Sequence, residues 1–353
     1  MQQLRAQAIS HSLFAPTTLQ AAINRLGFVQ ADPIRSPATA QDLILRHRVQ
    51  GYRTGDLVRN YASLDVEEGI LYAYGFLPRF LWQLRQHSCD PATLSDLDQR
   101  VLAAVHSNGP LHPKELEANF GSKRVRNDWG GTSKETTRAL ERLRWHGLVR
   151  IAGRENGIRI YEAAAPPDDL LSPEERFRKM VLVEADILAP TPEKGLQFLI
   201  SGLRKISFPE ATDHRKVLRD LIQTGELEQR TVDGISYVWP ATSAVYEEPP
   251  RSVRFLAPFD PLVWDRSRFE HFWGWTYRFE AYTPQAKRVR GYYAMPLLWG
   301  ERVIGWANAN VAGGRLNVAL GFVEKQPADR EFRMELDAEV ARLKTFLGLS
   351  GDT

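Results

Sequence analysis

A chain of 353 residues with 43% hydrophobic residues has apolar content enough for about two to four buried cores. No run approaches the ~18 apolar residues of a membrane span, the opening Met1-Gln2-Gln3-Leu4-Arg5 lacks the apolar stretch of a signal peptide, and a lone cysteine, Cys89, excludes an internal disulfide or a cysteine-built zinc site. The formal charge is only +3, so the whole-chain figure says little about partners, and a reducing cytoplasm is the expected compartment.

The charge is patterned nonetheless. Of the 46 cations 36 are arginine, which suits bidentate phosphate contact but is also what a GC-rich genome encodes by default. Residues 1–60 carry seven Arg against three Asp, and residues 114–159 carry eleven cations against six anions. Such patches fit nucleic acid.

In chain order, Leu4 to Leu13 reads as a short helix, stopped near Pro16. Thr17 or Thr18 can cap a second helix whose Leu19, Ala22, Ile23 and Leu26 fall at helical spacing, and Gly27 ends it. The chain then runs extended through Phe28-Val29-Gln30-Ala31-Asp32-Pro33-Ile34, because proline disfavours helix for the residue before it. Extended chain aims Gln30 and Asp32 to the same side. An amide beside a carboxylate can hold and polarise a water; equally, Asp32 can cap a turn while Gln30 is solvated. Ala40 to His47, Asp56 to Tyr61 and Phe80 to Gln86 read as further helices, around an aromatic stretch, Ile70 to Pro78, expected in the core. Asp90-Pro91 marks a boundary.

The next segment predicts helices over Asp96 to Val105, His112 to Phe120 and, capped by Ser133, from Glu135 to Trp145-His146-Gly147, then two strands over Leu148 to Tyr161 joined by a Gly/Asn turn. Three helices and a hairpin make a winged-helix plan, with Arg138, Arg142 and Arg144 on the third helix and Arg154 and Arg159 in the hairpin as phosphate contacts or a solvated face. Ala164 to Asp169 reads as a linker. Helices over Pro173 to Leu188, from Thr191-Pro192-Glu193-Lys194 onward with Pro192 at the first helical position, and over His214 to Thr224 precede a second hairpin turning at Asp233-Gly234. Gly27, Gly147 and Gly225 each join a helix to a strand, which suggests three tandem winged-helix units. From Pro249-Pro250 the chain is strand-rich, with strands expected at Val253 to Leu256, Tyr277 to Tyr282, Gly291 to Leu298, Glu301 to Val311 and Leu316 to Leu320, closed by a helix over Ala328 to Leu347. The expected class is α+β: winged-helix units at 1–90, 91–165 and 166–248, then a β-rich domain at 249–353.

The Leu-Gly-Phe-Val-Gln-Ala-Asp-Pro-Ile run resembles the Gln-x-Asp stretch of the AlkZ/YcaQ family of winged-helix DNA glycosylases. Downstream, Pro258-Phe259-Asp260-Pro261-Leu262-Val263-Trp264-Asp265-Arg266 is similar to that family's Pro-Phe-Asp-Pro-x-x-Trp-Asp-Arg signature, continued by Tyr282-Thr283-Pro284-Gln285-Ala286-Lys287-Arg288 and Gly291-Tyr292-Tyr293. The resemblance implies three winged helices in a concave arrangement and hydrolysis of the N-glycosidic bond of alkylated purines, cross-linked ones included. It places the catalytic pair on Gln30 and Asp32. Where typical members have a Gly-His-Ala stretch after an aromatic pair, this chain has Gly75-Phe76-Leu77, without the histidine.

On this reading the partner is damaged double-stranded DNA, met by a cytoplasmic, nucleoid-associated monomer through Arg35, Arg138, Arg142, Arg154, Arg159, Lys287, Arg288 and Arg290. No cofactor or metal is expected, and the first lysine is as far from Asp32 as Lys114, which argues against a Schiff-base lyase. The rival is a winged-helix regulator that binds DNA without catalysis.

Overall fold

A computed structural model describes residues 1–86, 93–126, 130–165, 171–243 and 249–349. Cys89, the Asp90-Pro91 boundary and most of the expected linker, residues 166–169, lie outside the described residues.

Helix α1 spans Gln2–Ser12. Helix α2, Leu19–Leu26, is capped by the Thr18 side chain, which accepts from the Ala21 N–H, and ends at Gly27 in a positive-φ conformation. The chain passes directly into β1, Val29–Gln30. Helices α3, Ala40–Leu45, and α4, Asp56–Asn60, follow, then a hairpin of β2, Val66–Ile70, and β3, Tyr74–Pro78. The sheet order is β1-β3-β2, so the short strand that opens the Gln-x-Asp stretch lies on the outer edge of β3. Helix α5 covers Arg79–Arg85.

The pattern recurs. Helices α6, Asp96–Asn108, and α7, Pro113–Phe120, lead to a short hairpin of β4, Arg124–Arg126, and β5, Thr132–Lys134, before α8, Glu135–Trp145. Ser133 therefore belongs to β5, and Lys134, not Ser133, holds the position before the helix. Strands β6, Val149–Glu155, and β7, Ile158–Ala163, form the next hairpin, and Leu111 bridges to Tyr161 on its second strand. Then come α9, Pro173–Ile187; β8, Thr191–Pro192; α10, Glu193–Ser207; α11, His214–Gln223; and the hairpin of β9, Leu227–Val232, and β10, Ile235–Pro240, in the order β8-β10-β9. Pro192 ends β8 as the residue before α10, one place earlier than the first-helical-position reading put it.

Gly27, Gly147 and Gly225 all adopt positive φ, yet they are not equivalent. Gly147 and Gly225 join a third helix to a hairpin, whereas Gly27 joins α2 to the short edge strand. The true repeat is helix, short strand, two helices and hairpin, with β1, the Leu111 bridge and β8 in corresponding places.

The last region is an antiparallel sheet, β11-β12-β13-β14, built from Val253–Phe255, Met295–Trp299, Arg302–Ala312 and Arg315–Phe322. Between its first two strands lie α12, Pro261–Trp264, and α13, Arg266–Trp273, neither of which the alternation in sequence suggested. The expected strand at Tyr277 to Tyr282 has no ladder. Side chains hold that segment instead: the Trp275 indole N–H donates to Val303 O at 2.9 Å, and the Tyr277 hydroxyl donates to Ala294 O at 2.7 Å. Helix α14, Arg330–Phe346, closes the chain against β11.

Among the described residues, one apolar cluster joins the first two helical segments to the final sheet, from Phe14 and Val29 through Val101 and Leu140 to Phe255 and Phe332. Two buried arginines tie the same parts together. Arg48 donates bidentately to Asp260 at 2.9 and 3.0 Å, both side chains being fully buried, and Arg46 donates to Glu339 and to Phe255 O. No helix among the described residues is long and apolar enough to cross a membrane.

Candidate active site

The edge strand β1 fixes the candidate pair. Gln30 lies opposite Gly75, Val29 lies opposite Phe76, and the Ala31 N–H extends the pairing to Tyr74 O at 2.9 Å. Beyond the strand the Asp32 N–H donates to the Gln41 side-chain oxygen on α3 at 3.3 Å. The Asp32 carboxylate accepts the Ile34 N–H on Oδ1 at 2.9 Å, a turn that Pro33 favours. Its Oδ2 accepts no hydrogen bond from the described residues, and the buried Gln30 Oε1 has no partner either. Burial pushes the Asp32 carboxyl above its ordinary range, and the Ile34 N–H offsets this only in part. The half-buried carboxylate is thus a stronger base than a solvated one.

An aromatic relay connects this strand to the downstream signature. The Phe28 ring packs edge-on to Tyr72 at 4.8 Å, and Tyr72 meets Trp264 at 4.4 Å. The rest of that signature is architectural. Asp260 caps α12 while clamping Arg48, Asp265 caps α13, and Arg266 donates to Val263 O and Pro258 O. At the position of the absent histidine, Phe76 is buried against Tyr61 and Leu77 is buried in a second apolar cluster. Core packing fills this place.

A loop from the final region brings cations to the same neighbourhood. Glu280, buried, accepts the N–H groups of Val289, Arg290 and Gly291 at 3.0, 2.8 and 3.1 Å. Burial opposes its ionisation, but the N–H bonds from Arg290, Gly291 and Val289 outweigh it and hold the carboxyl below its ordinary range. The bend so fixed exposes Tyr282 and Val289, at 80% and 76%, with Lys287 also in solvent. Arg288 donates to Thr283 O and lies over Tyr292 at 4.9 Å; Arg290 is stacked between Trp275 and Trp306 at 5.0 and 5.5 Å. The loop ends at Tyr293, within electrostatic reach of Asp32.

Residues 23–346 match the DNA glycosylase AlkZ-like family. The chain belongs to that family. Family membership implies that it binds DNA and carries base-excising activity.

The remaining predicted contacts separate into two groups. The Arg35 and Lys287 side chains are exposed and make no hydrogen bond or ion pair with the described residues. By contrast, Arg154 and Arg159 turn inward to the buried Glu68 at 2.7 and 3.1 Å, where Tyr74 also donates. Arg142 pairs bidentately with Asp98 at 3.0 and 2.7 Å, Arg144 donates to Glu68 O, and Arg138 is engaged within the protein. Arg142, Arg154 and Arg159, and Arg150, which pairs with Glu67, direct their charge to carboxylates of the protein itself. The Val66-Glu67-Glu68-Gly69-Ile70 strand carried the signal: two adjacent carboxylates in a buried strand require cations. Sequence reasoning also left Glu280 without a role; a carboxylate beside a basic loop was its only trace.

Proposed function

We propose that the protein is a monofunctional DNA glycosylase that releases cationic N7-alkylated purines from duplex DNA, cross-linked ones included, with Asp32 as base and Gln30 as its partner. The observation that carries this reading is the free Oδ2 of Asp32, on a carboxyl of raised basicity, two residues from the unpartnered Gln30 Oε1.

The chemistry needs little else. An N7-alkylated purine is already positive, so the electron pair of the C1′–N9 bond neutralises it as it leaves, and no general acid is required. Asp32, ionised, stabilises the oxocarbenium-like sugar and takes the proton of the water that adds to C1′. Gln30 orients that water. Neither a cofactor nor a metal enters the scheme.

Three winged-helix units at 1–90, 91–165 and 166–248, followed by a β-rich domain at 249–353, are the organisation we propose for the repeated helix, short strand, helices and hairpin. The DNA-facing cations on this reading are Arg35, Lys287, Arg288 and the edge of Arg290, with the protein acting as a cytoplasmic monomer. Their placement around the Asp32 turn and on the Glu280-held loop supports it.

The test is base release from duplex DNA containing N7-methylguanine. Release by the wild type that falls by orders of magnitude in Asp32→Asn supports the assignment; release by neither protein overturns it.

A further inference from the structure

Tyr293 is 2% exposed, and its hydroxyl has no hydrogen-bond partner among the described residues. A buried hydroxyl left so carries a desolvation penalty that a phenylalanine would avoid. Nothing in the core explains it: the ring is satisfied by Phe279, edge-on at 5.3 Å. The phenol lies within electrostatic reach of Asp32. Tyr293 and Ser36, four residues past Asp32, line one open hollow of about 670 Å³ together with Asn308 and Asn317.

Asp32 Oδ2, Gln30 Oε1 and Tyr293 Oη thus each lack a hydrogen-bond partner among the described residues. Two are acceptors and one is a donor. Burial, and then the Asp32 charge, push the phenol well above its ordinary range, so it keeps its proton at any physiological pH.

We propose that the Tyr293 hydroxyl is a third polar group of the reaction site, holding the attacking water together with Asp32 and Gln30. The inference rests on the glycosylase reading of Asp32. The water gives one hydrogen to Asp32 Oδ2 and the other to Gln30 Oε1, and accepts the Tyr293 O–H on one lone pair. Its second lone pair is left for C1′. As the new C–O bond forms, the water proton passes to Asp32, the C1′–N9 pair leaves with the purine, and the tyrosine proton stays where it is.

Tyr293→Phe tests this because the hydroxyl makes no bond inside the protein. Single-turnover release of N7-methylguanine is expected to slow on the order of ten-fold or more. DNA affinity stays unchanged, and the thermal midpoint stays level or rises. Wild-type speed in Tyr293→Phe, with Asp32→Asn inactive, overturns the tyrosine assignment alone. A rate loss that merely tracks a fall in thermal midpoint overturns it too. Absence of release by the wild type removes both this inference and the reading beneath it.

Discussion

Gln30 lies directly opposite Gly75 across the β1–β3 pair, and a Cβ on Gly75 would stand 2.6 Å from Phe28 Cζ and closer still to the Val29 carbonyl oxygen. The edge strand that carries Gln30 and leads into Asp32 can approach β3 this closely only because residue 75 has no side chain. Gly75→Ala is therefore expected to push β1 outward. Overpacking of this kind costs about 1–3 kcal/mol of stability, and a displacement near 1 Å at the base costs on the order of a hundred-fold in rate. A urea melt beside a base-release assay checks both, with the rate loss far exceeding what the unfolded fraction explains.

The cations divide by where their charge is spent. The Glu68 side chain is 1% exposed and held by Arg154 and Arg159 across the join between the β2–β3 and β6–β7 hairpins. Replacing both arginines with alanine leaves a buried carboxylate with Tyr74 alone, and stability should fall by about 3–5 kcal/mol. Thermal or chemical melts measure it. Lys287→Ala should leave the melt unchanged and instead lower the slope of log affinity against log salt by about 1, as loss of one phosphate contact does. Salt titrations of duplex binding separate the two classes.

The sequence-level reading succeeded where local chemistry decides. Thr18 and Gly27 bracket α2 as caps do, Asn156-Gly157 and Asp233-Gly234 turn their hairpins at positive φ, and proline after Asp32 keeps the candidate base out of helix. It is blind where distant partners decide. Arg142, Arg154 and Arg159 look like a basic face until Asp98 and Glu68 are folded against them. The Tyr277 to Tyr282 stretch alternates as a strand does, but its hydrogen bonds run through the indole of Trp275 and the phenol of Tyr277, which periodicity does not reveal.

Arg48 and Asp260 bind the N-terminal helices to the downstream signature as a fully buried pair. Arg48 also donates to Ser12 O and Ile44 O, so the guanidinium is satisfied on several sides. Asp260→Ala removes the counter-charge and the α12 cap together, with an expected loss of about 3–5 kcal/mol. Because Trp264 follows on α12 and packs on Tyr72, which packs on Phe28, the variant should also loosen the site: base release is expected to fall even at temperatures where the protein stays folded. Circular dichroism melts paired with single-turnover assays at low temperature distinguish the two effects.

Glu184 gives the fold a pH dependence separate from Asp32. It is fully buried on α9, its Oε2 has no hydrogen-bond partner among the described residues, and burial, offset only in part by Arg85, pushes its carboxyl up to about 8. A carboxyl raised from 4.5 to about 8 gives stability that is full below 4.5 and is lost as pH rises through about 8, because the folded state holds the proton more tightly than the unfolded chain does. The thermal midpoint should therefore fall between neutral pH and pH 9. Glu184→Gln, which cannot ionise, should flatten that fall and exceed the wild type in stability at pH 9 by a margin on the order of a few kcal/mol. Differential scanning calorimetry across this range decides it: an equally steep fall in Glu184→Gln would assign the pH dependence to another group.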